Sequence, residues 1–93
     1  MQSVFWWPDV RLAIEVADSS LKFDLTEKAA LYAEAGIGEY WVVDASAKQI
    51  HVFREPVDGE YALQTIARES ASVSPAAATD AVFKVSALFS DEL

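Results

Sequence analysis

From Val10 to Val16 the chain alternates, with Val10, Leu12, Ile14 and Val16 on one face and Arg11, Ala13 and Glu15 on the other. A period of two predicts a β-strand; its branched face is expected to meet a core, while the other face carries one carboxylate beside a short residue and an arginine. Asp18, Ser19 and Ser20 supply a turn, and the period then changes. Asp24 followed by Glu27 reads as an acidic capping box, and Gly36 followed by Ile37 as a C-terminal stop, so a helix is expected over Leu25 to Ala35. Steps of about 100° per residue gather Leu25, Leu31, Tyr32 and Ala35 into one arc and send Thr26, Glu27, Ala30 and Glu34 to the opposite side. Lys28 falls within the apolar arc, one turn from Asp24 and Tyr32, so its stem is expected to run among packed side chains.

Glu39 to Asp44 encloses Tyr40, Trp41, Val42 and Val43, a nearly continuous apolar run that suits a strand covered on both faces. Lys48 to Arg54 alternates, Pro56 to Gly59 breaks the pattern, and Glu60 to Ala67 resumes it, which predicts an antiparallel meander of three strands. Arg68 to Ala81, rich in Ser and Ala, reads as a surface loop. After it come a short apolar stretch, Val82 to Val85, and a last helical turn carrying Leu88 and Phe89, capped by Ser86. The fold class expected is therefore mixed α/β: strand, helix, antiparallel meander and a short C-terminal helical turn, with residues 1–93 forming a single domain.

Composition narrows the chemistry. Of 93 residues, 53% are hydrophobic, which argues for a packed core rather than disorder, although a core in so short a chain is marginal and would gain from a partner chain. Cysteine is absent and His51 is the sole histidine, so a disulfide framework, a thiolate site and a histidine cluster are all excluded. Any metal site must then use oxygen ligands, which suits magnesium, calcium or manganese. The net charge of −8 repels a polyanion and counts against plain nucleic-acid binding, but not against a nuclease whose acidic centre is neutralised by metal. Met1 to Trp7 carries no positive charge and no long apolar run, fitting neither a signal peptide nor an anchor, so a cytoplasmic protein without membrane contact is expected.

The residues of chemical interest are Glu15 on the first strand and Lys28 on the following helix. A strand, a turn and one helical turn return the chain near its starting level, so the two side chains could converge. Together they could hold a divalent cation and orient an attacking water; the alternative is a simple ion pair. His51 is expected to face the surface or a partner, and Trp6, Trp7 and Trp41 to anchor a core or an interface.

The string Ile14-Glu15-Val16-Ala17-Asp18-Ser19-Ser20, then Asp24, Lys28, Leu31-Tyr32, Ala35-Gly36-Ile37 and Glu39-Tyr40-Trp41-Val42-Val43-Asp44, resembles the signature stretch of the restriction-endonuclease domain family within the PD-(D/E)XK nuclease superfamily. The likeness covers residues 10–55 well and 82–89 more loosely. It implies a restriction-endonuclease-like core and a magnesium- or manganese-dependent endonuclease that hydrolyses phosphodiester bonds in DNA. Glu15 would bind the metal, with the carbonyl of Val16 as a further ligand. Lys28 would take over from Ala17, which occupies the position of the superfamily lysine, and would orient water and steady charge on the phosphate. Asp24 matches the family's acidic residue one turn before that lysine, or is a helix cap paired with it.

The resemblance departs at the front. The family's earlier Pro-Asp strand has a lookalike in Pro8-Asp9, but six residues of strand put Asp9 about 20 Å from Glu15, too far to share an ion. An N-terminally truncated member is expected, incomplete as an isolated chain. It would complete its sheet with a second copy or another partner. The competing expectation is a non-catalytic remnant serving as an interaction or oligomerisation module.

Overall fold

The fold is described by a computed structural model covering residues 11–89. The strand expected over Val10 to Val16 is β1 (Leu12–Ala17), and the apolar run after the helix is β2 (Glu39–Asp44). These two pair in parallel, which requires a crossover, and the intervening helix supplies it. β3 (Gln49–Val57) and β4 (Glu60–Ala67) continue as the antiparallel meander, giving the order β1-β2-β3-β4. Val57 stands opposite Glu60, and the loop between them, Asp58 and Gly59, has φ of 51° and 79°. Both residues are left-handed, the requirement of a two-residue turn matched to strand twist. The break expected from Pro56 does not occur. Pro56 pairs with Tyr61 inside β3, past the end of β2, where that edge has no ladder for a missing N–H to interrupt.

β2 is buried along its whole length, as its composition requires. Tyr40 and Val42 point to the helix side, with Ala13, Ala17, Phe53, Tyr61, Ala29, Ala33 and Ile37. Trp41 and Val43 point to the other side, with Ile50, Val52, Val73 and Val85. That second layer comes from the stretch expected to be a surface loop. Within it β5 (Ser72–Val73) pairs with β6 (Phe83–Lys84), and a 3₁₀ turn over Val85–Phe89 closes the described chain, so the final helical turn begins one residue before Ser86.

Two further expectations are corrected. The first concerns β1, where the branched face was expected to be the buried one. The reverse holds: Ala13, Glu15 and Ala17 are 0–1% exposed, whereas Ile14 and Val16 are 45% and 46% exposed. The short side chains of Ala13 and Ala17 let the helix approach the sheet closely, and Glu15 is enclosed by that approach. The second concerns the helix, expected to start after an Asp24 cap. It starts at Leu21, as α1 (Leu21–Phe23), a π-helical stretch (Asp24–Lys28) and α2 (Ala29–Glu34) that follow without a gap. Asp24 sits inside it, its N–H donating to the Ser20 carbonyl at 2.9 Å. The wide π turn shifts every later residue relative to a uniform 100° wheel, so the buried stripe runs through Ala29 and Ala33 and leaves Leu31 exposed. The stop is where Gly36 placed it: Gly36 has φ of 79°, and the N–H of Ile37 donates to the Tyr32 carbonyl at 3.0 Å.

Candidate active site

The enclosed face of β1 and the first two turns of the helix meet at one cluster. Glu15 is fully buried, and its Oε2 accepts a hydrogen bond from the Tyr32 hydroxyl at 2.7 Å and another from Lys28 Nζ at 3.1 Å. Lys28 Nζ also lies 3.9 Å from Asp24 Oδ1, and Asp24 Oδ2 accepts from the Ser20 hydroxyl at 2.9 Å. Lys28 and Tyr32 are four residues apart on one helix, so both donors reach Glu15 from the same side. The Lys28 side chain is 21% exposed; its stem passes through the packing, as its position in the apolar arc required, and only its end approaches solvent.

Glu15, Lys28 and Asp24, the three side chains singled out from sequence, are therefore brought together. The capping role weighed for Asp24 is overturned, because its carboxylate is turned inward to Ser20 and Lys28 rather than onto helix N–H groups. Tyr32 was not singled out as a site residue. The signal was available, since it stands one turn beyond Lys28, but an aromatic residue in an apolar arc reads first as core. Val16 presents its backbone rather than its side chain. The Ala17 carbonyl accepts from Ala45 N–H at 3.4 Å on the β2 side, and backbone groups alternate edges along a strand, so the Val16 carbonyl faces the opposite edge of β1. No described strand pairs there. Pro8, Asp9, Trp6 and Trp7 lie outside the described residues.

A second buried carboxylate shows what a purely structural one looks like. Glu39 Oε2 accepts from Trp41 Nε1 at 2.7 Å and Arg54 Nε at 2.9 Å, and its Oε1 accepts from Ala76 N–H at 2.7 Å. Every oxygen of Glu39 is engaged. Glu15 Oε1, by contrast, is the one buried side-chain nitrogen or oxygen among the described residues with no hydrogen-bond partner. Leaving a buried charged oxygen bare costs several kcal/mol by general estimates, about 1–3 even for a neutral group, so the cluster is not optimised for stability alone. Among the described residues no group of three or more His, Asp or Glu side chains gathers closely enough to hold a metal ion.

The sheet register sets the cluster's neighbours. Glu15, Val42, His51 and Ile66 stand abreast on adjacent strands of the helix-side face. Burial lowers the pKa of the half-buried His51 from 6.5, Asp44 partly offsetting this and Arg68 adding to it. The phenols move the other way. Tyr32, Tyr40 and Tyr61 are raised well above 10.0, first by burial, and Tyr32 further by its hydrogen bond to Glu15 and the negative charges around it. The folded phenols therefore keep their protons at a pH where unfolded ones lose them, so stability is intact below about pH 10 and falls as pH rises above it. Because these are all the tyrosines of the chain, an absorbance titration is expected to show no tyrosinate with an ordinary midpoint, its appearance coinciding with loss of the circular-dichroism signal. A normal midpoint in the folded protein would contradict this burial.

The order of strand, crossover helix and antiparallel meander is a mixed α+β fold, within which Glu15 of β1 meets Lys28 of the crossover helix. A family model for Uma2, described as "Putative restriction endonuclease", matches residues 5–86, and the chain belongs to that family. Among solved structures it is similar to a protein titled as a putative nuclease belonging to DUF820 from Anabaena variabilis ATCC 29413, with a TM-score of 0.66 and 18% identity over 85% of this chain. At that identity the likeness concerns the fold. The chain spans 43% of the Anabaena protein's length. No curated protein matches the sequence. No helix among the described residues is long and apolar enough to cross a membrane.

Proposed function

We propose that this chain carries the metal-binding side of a cytoplasmic DNA endonuclease that hydrolyses phosphodiester bonds with magnesium or manganese. One observation carries the reading: a wholly buried carboxylate with one bare oxygen, Glu15 Oε1, sits beside the ammonium group of Lys28. Magnesium is commonly held through one or two carboxylates, with water and substrate phosphate oxygens completing its shell, so Glu15 and the Val16 carbonyl suit it as protein ligands. The cation would polarise the phosphate and acidify a bound water. Lys28 would orient that water and stabilise charge developing on the phosphate, while Asp24, 3.9 Å from Lys28, keeps the ammonium in place. Among the described residues the site is then one anionic ligand short, and that ligand would come from outside residues 11–89 or from a second chain; where a second chain supplies it, residues 1–93, taken as one domain, are expected to cut weakly alone.

A second reading, that of an interaction module, draws on β1. Its outer edge is unpaired among the described residues, and beside it lies an apolar groove of about 430 Å³ lined by Leu12, Ile14, Val16, Trp41, Phe83 and Leu88. An open edge with apolar flanks can accept a strand from a second copy of the chain.

One preparation decides between them. Supercoiled DNA is incubated with magnesium or manganese and the unaltered chain, Glu15→Gln or Lys28→Gln, with sedimentation run in parallel. The nuclease reading expects metal-dependent nicking that falls by about 100-fold or more in both variants, the scale for removing one group that stabilises charge in a transition state. Cleavage identical in all three chains is contamination and removes the reading. A dimer without any metal-dependent cleavage supports the interaction module.

A further inference from the structure

We infer that Tyr32 is a positioning residue for the cation: its hydroxyl, held on Glu15 Oε2, sets the carboxylate so that Oε1 is the oxygen presented to the ion. This rests on the reading of Glu15 as a metal ligand. Among the described residues, the two donors that reach Glu15 both converge on Oε2, the Tyr32 hydroxyl at 2.7 Å and Lys28 Nζ at 3.1 Å. A carboxylate that merely needed its charge satisfied would have donors shared between its oxygens, as the three donors around Glu39 are. At Glu15 the loading is one-sided, and the oxygen left bare is buried.

The ring that carries the hydroxyl is fixed from elsewhere. Tyr32 packs edge-on against Tyr40 with centroids 4.8 Å apart, and the Tyr40 hydroxyl in turn donates to the Asp24 carbonyl at 3.0 Å inside the helix. Tyr40 also stacks on Phe53 at 5.5 Å in the core. The hydroxyl of Tyr32 is thus held by the core rather than by the carboxylate it contacts. Lys28, which ends near solvent on a flexible stem, cannot fix the carboxylate plane in the same way. The division of labour is that Lys28 supplies charge and Tyr32 supplies direction.

Hydrogen-bond partners of a ligating side chain typically change metal affinity by about 10–100-fold. Removing the hydroxyl while keeping the ring should therefore weaken cation binding without unfolding the protein. The test measures Mn²⁺ binding, by electron paramagnetic resonance of the free ion and without DNA, for the unaltered chain, Glu15→Gln, Tyr32→Phe, and a chain with para-aminophenylalanine at position 32. The last restores an N–H donor at the same point of the ring. The expectation is that the unaltered chain binds, Glu15→Gln does not, Tyr32→Phe binds about 10–100-fold more weakly, and the amino analogue recovers most of the loss.

Equal affinity in Tyr32→Phe and the unaltered chain, with Glu15→Gln inactive in binding, overturns the role of Tyr32 and leaves Glu15 as a ligand. Absence of binding in the unaltered chain, or undiminished binding in Glu15→Gln, overturns the ligand role of Glu15 and this inference with it. Should Tyr32→Phe fail to fold by circular dichroism, the amino analogue decides: near-native affinity supports the role, and loss of binding in a folded chain overturns it.

Discussion

A Lys28→Met chain is expected to lose about 3 kcal/mol of stability, the low end of the cost of stripping one partner from a buried ion pair. Among the described residues, Lys28 is the one cation within reach of the buried carboxylates of Glu15, at 3.1 Å, and Asp24, at 3.9 Å. Met keeps the length and packing of the stem, so the loss isolates the charge. Without the ammonium, Glu15 keeps only the Tyr32 hydroxyl among the described residues, and its second oxygen still has no partner there. The low end is chosen because the lysine terminus is partly solvated, which lets water soften the loss. For a small domain whose whole stability is about 5–15 kcal/mol, 3 kcal/mol is a large share, and a clear fall in the urea midpoint should follow. The double replacement Glu15→Leu with Lys28→Met should recover the part owed to Glu15, because apolar residues of similar volume in place of a buried pair are often neutral or stabilising, while Asp24 still lacks its cation. A single variant as stable as the parent would mean that the pair is not buried as described. Recovery in the double variant would mean that the polar cluster is kept against the interest of the fold, as expected of a functional site.

How much of this was legible beforehand differs by element. The meander, the stop at Gly36 and the doubly buried β2 followed from local pattern, because each depends on residues close in sequence. That Lys28 returns to the level of Glu15 was legible from chain length, since a parallel crossover must bring the helix back over β1; that Glu15 faces the helix was not. The inversion of β1 was not. Hydrophobicity favours Ile14 and Val16 for the core, but Ala13 and Ala17 won the helix-facing side because they permit close packing. Only the position of the helix over the sheet decides that contest. The start of the helix misled for a related reason. An Asp three residues before a Glu fits a cap, yet the same Asp can turn inward when a buried lysine awaits it, and the π turn that accommodates this has no local signature. Tyr32 was hidden because its ring serves the core while its hydroxyl serves Glu15.

Glu39→Ala should be about as damaging to stability as Lys28→Met or more so, about 3–5 kcal/mol, but without touching the cluster around Glu15. Glu39 is nearly fully buried, and one carboxylate ties three parts of the chain together: Trp41 on its own strand, Arg54 on β3 and Ala76 in the segment beyond β5. Arg54 completes the tie by donating from its Nη2 to the Ser74 carbonyl at 2.7 Å. Truncation would leave the Trp41 indole N–H and the Ala76 N–H without acceptors and Arg54 without its counter-charge. The segment that carries Val73 and Val85 onto the far side of the sheet would lose its polar anchor, leaving apolar contact alone to hold it. Hydrogen exchange should therefore quicken first across residues 72–85, and the amides of β1 and the helix should keep their protection until global unfolding. Glu39→Gln should be milder, since it retains an acceptor for Ala76 but sets an amide N–H₂ against donors from Trp41 and Arg54. In either folded variant, the Mn²⁺ binding proposed for Glu15 should match the parent, because the two carboxylates project from opposite faces of the sheet: Glu39 beside Trp41, Glu15 beneath the helix. Loss of both properties together would show that the second apolar layer is required to hold β1 against the helix.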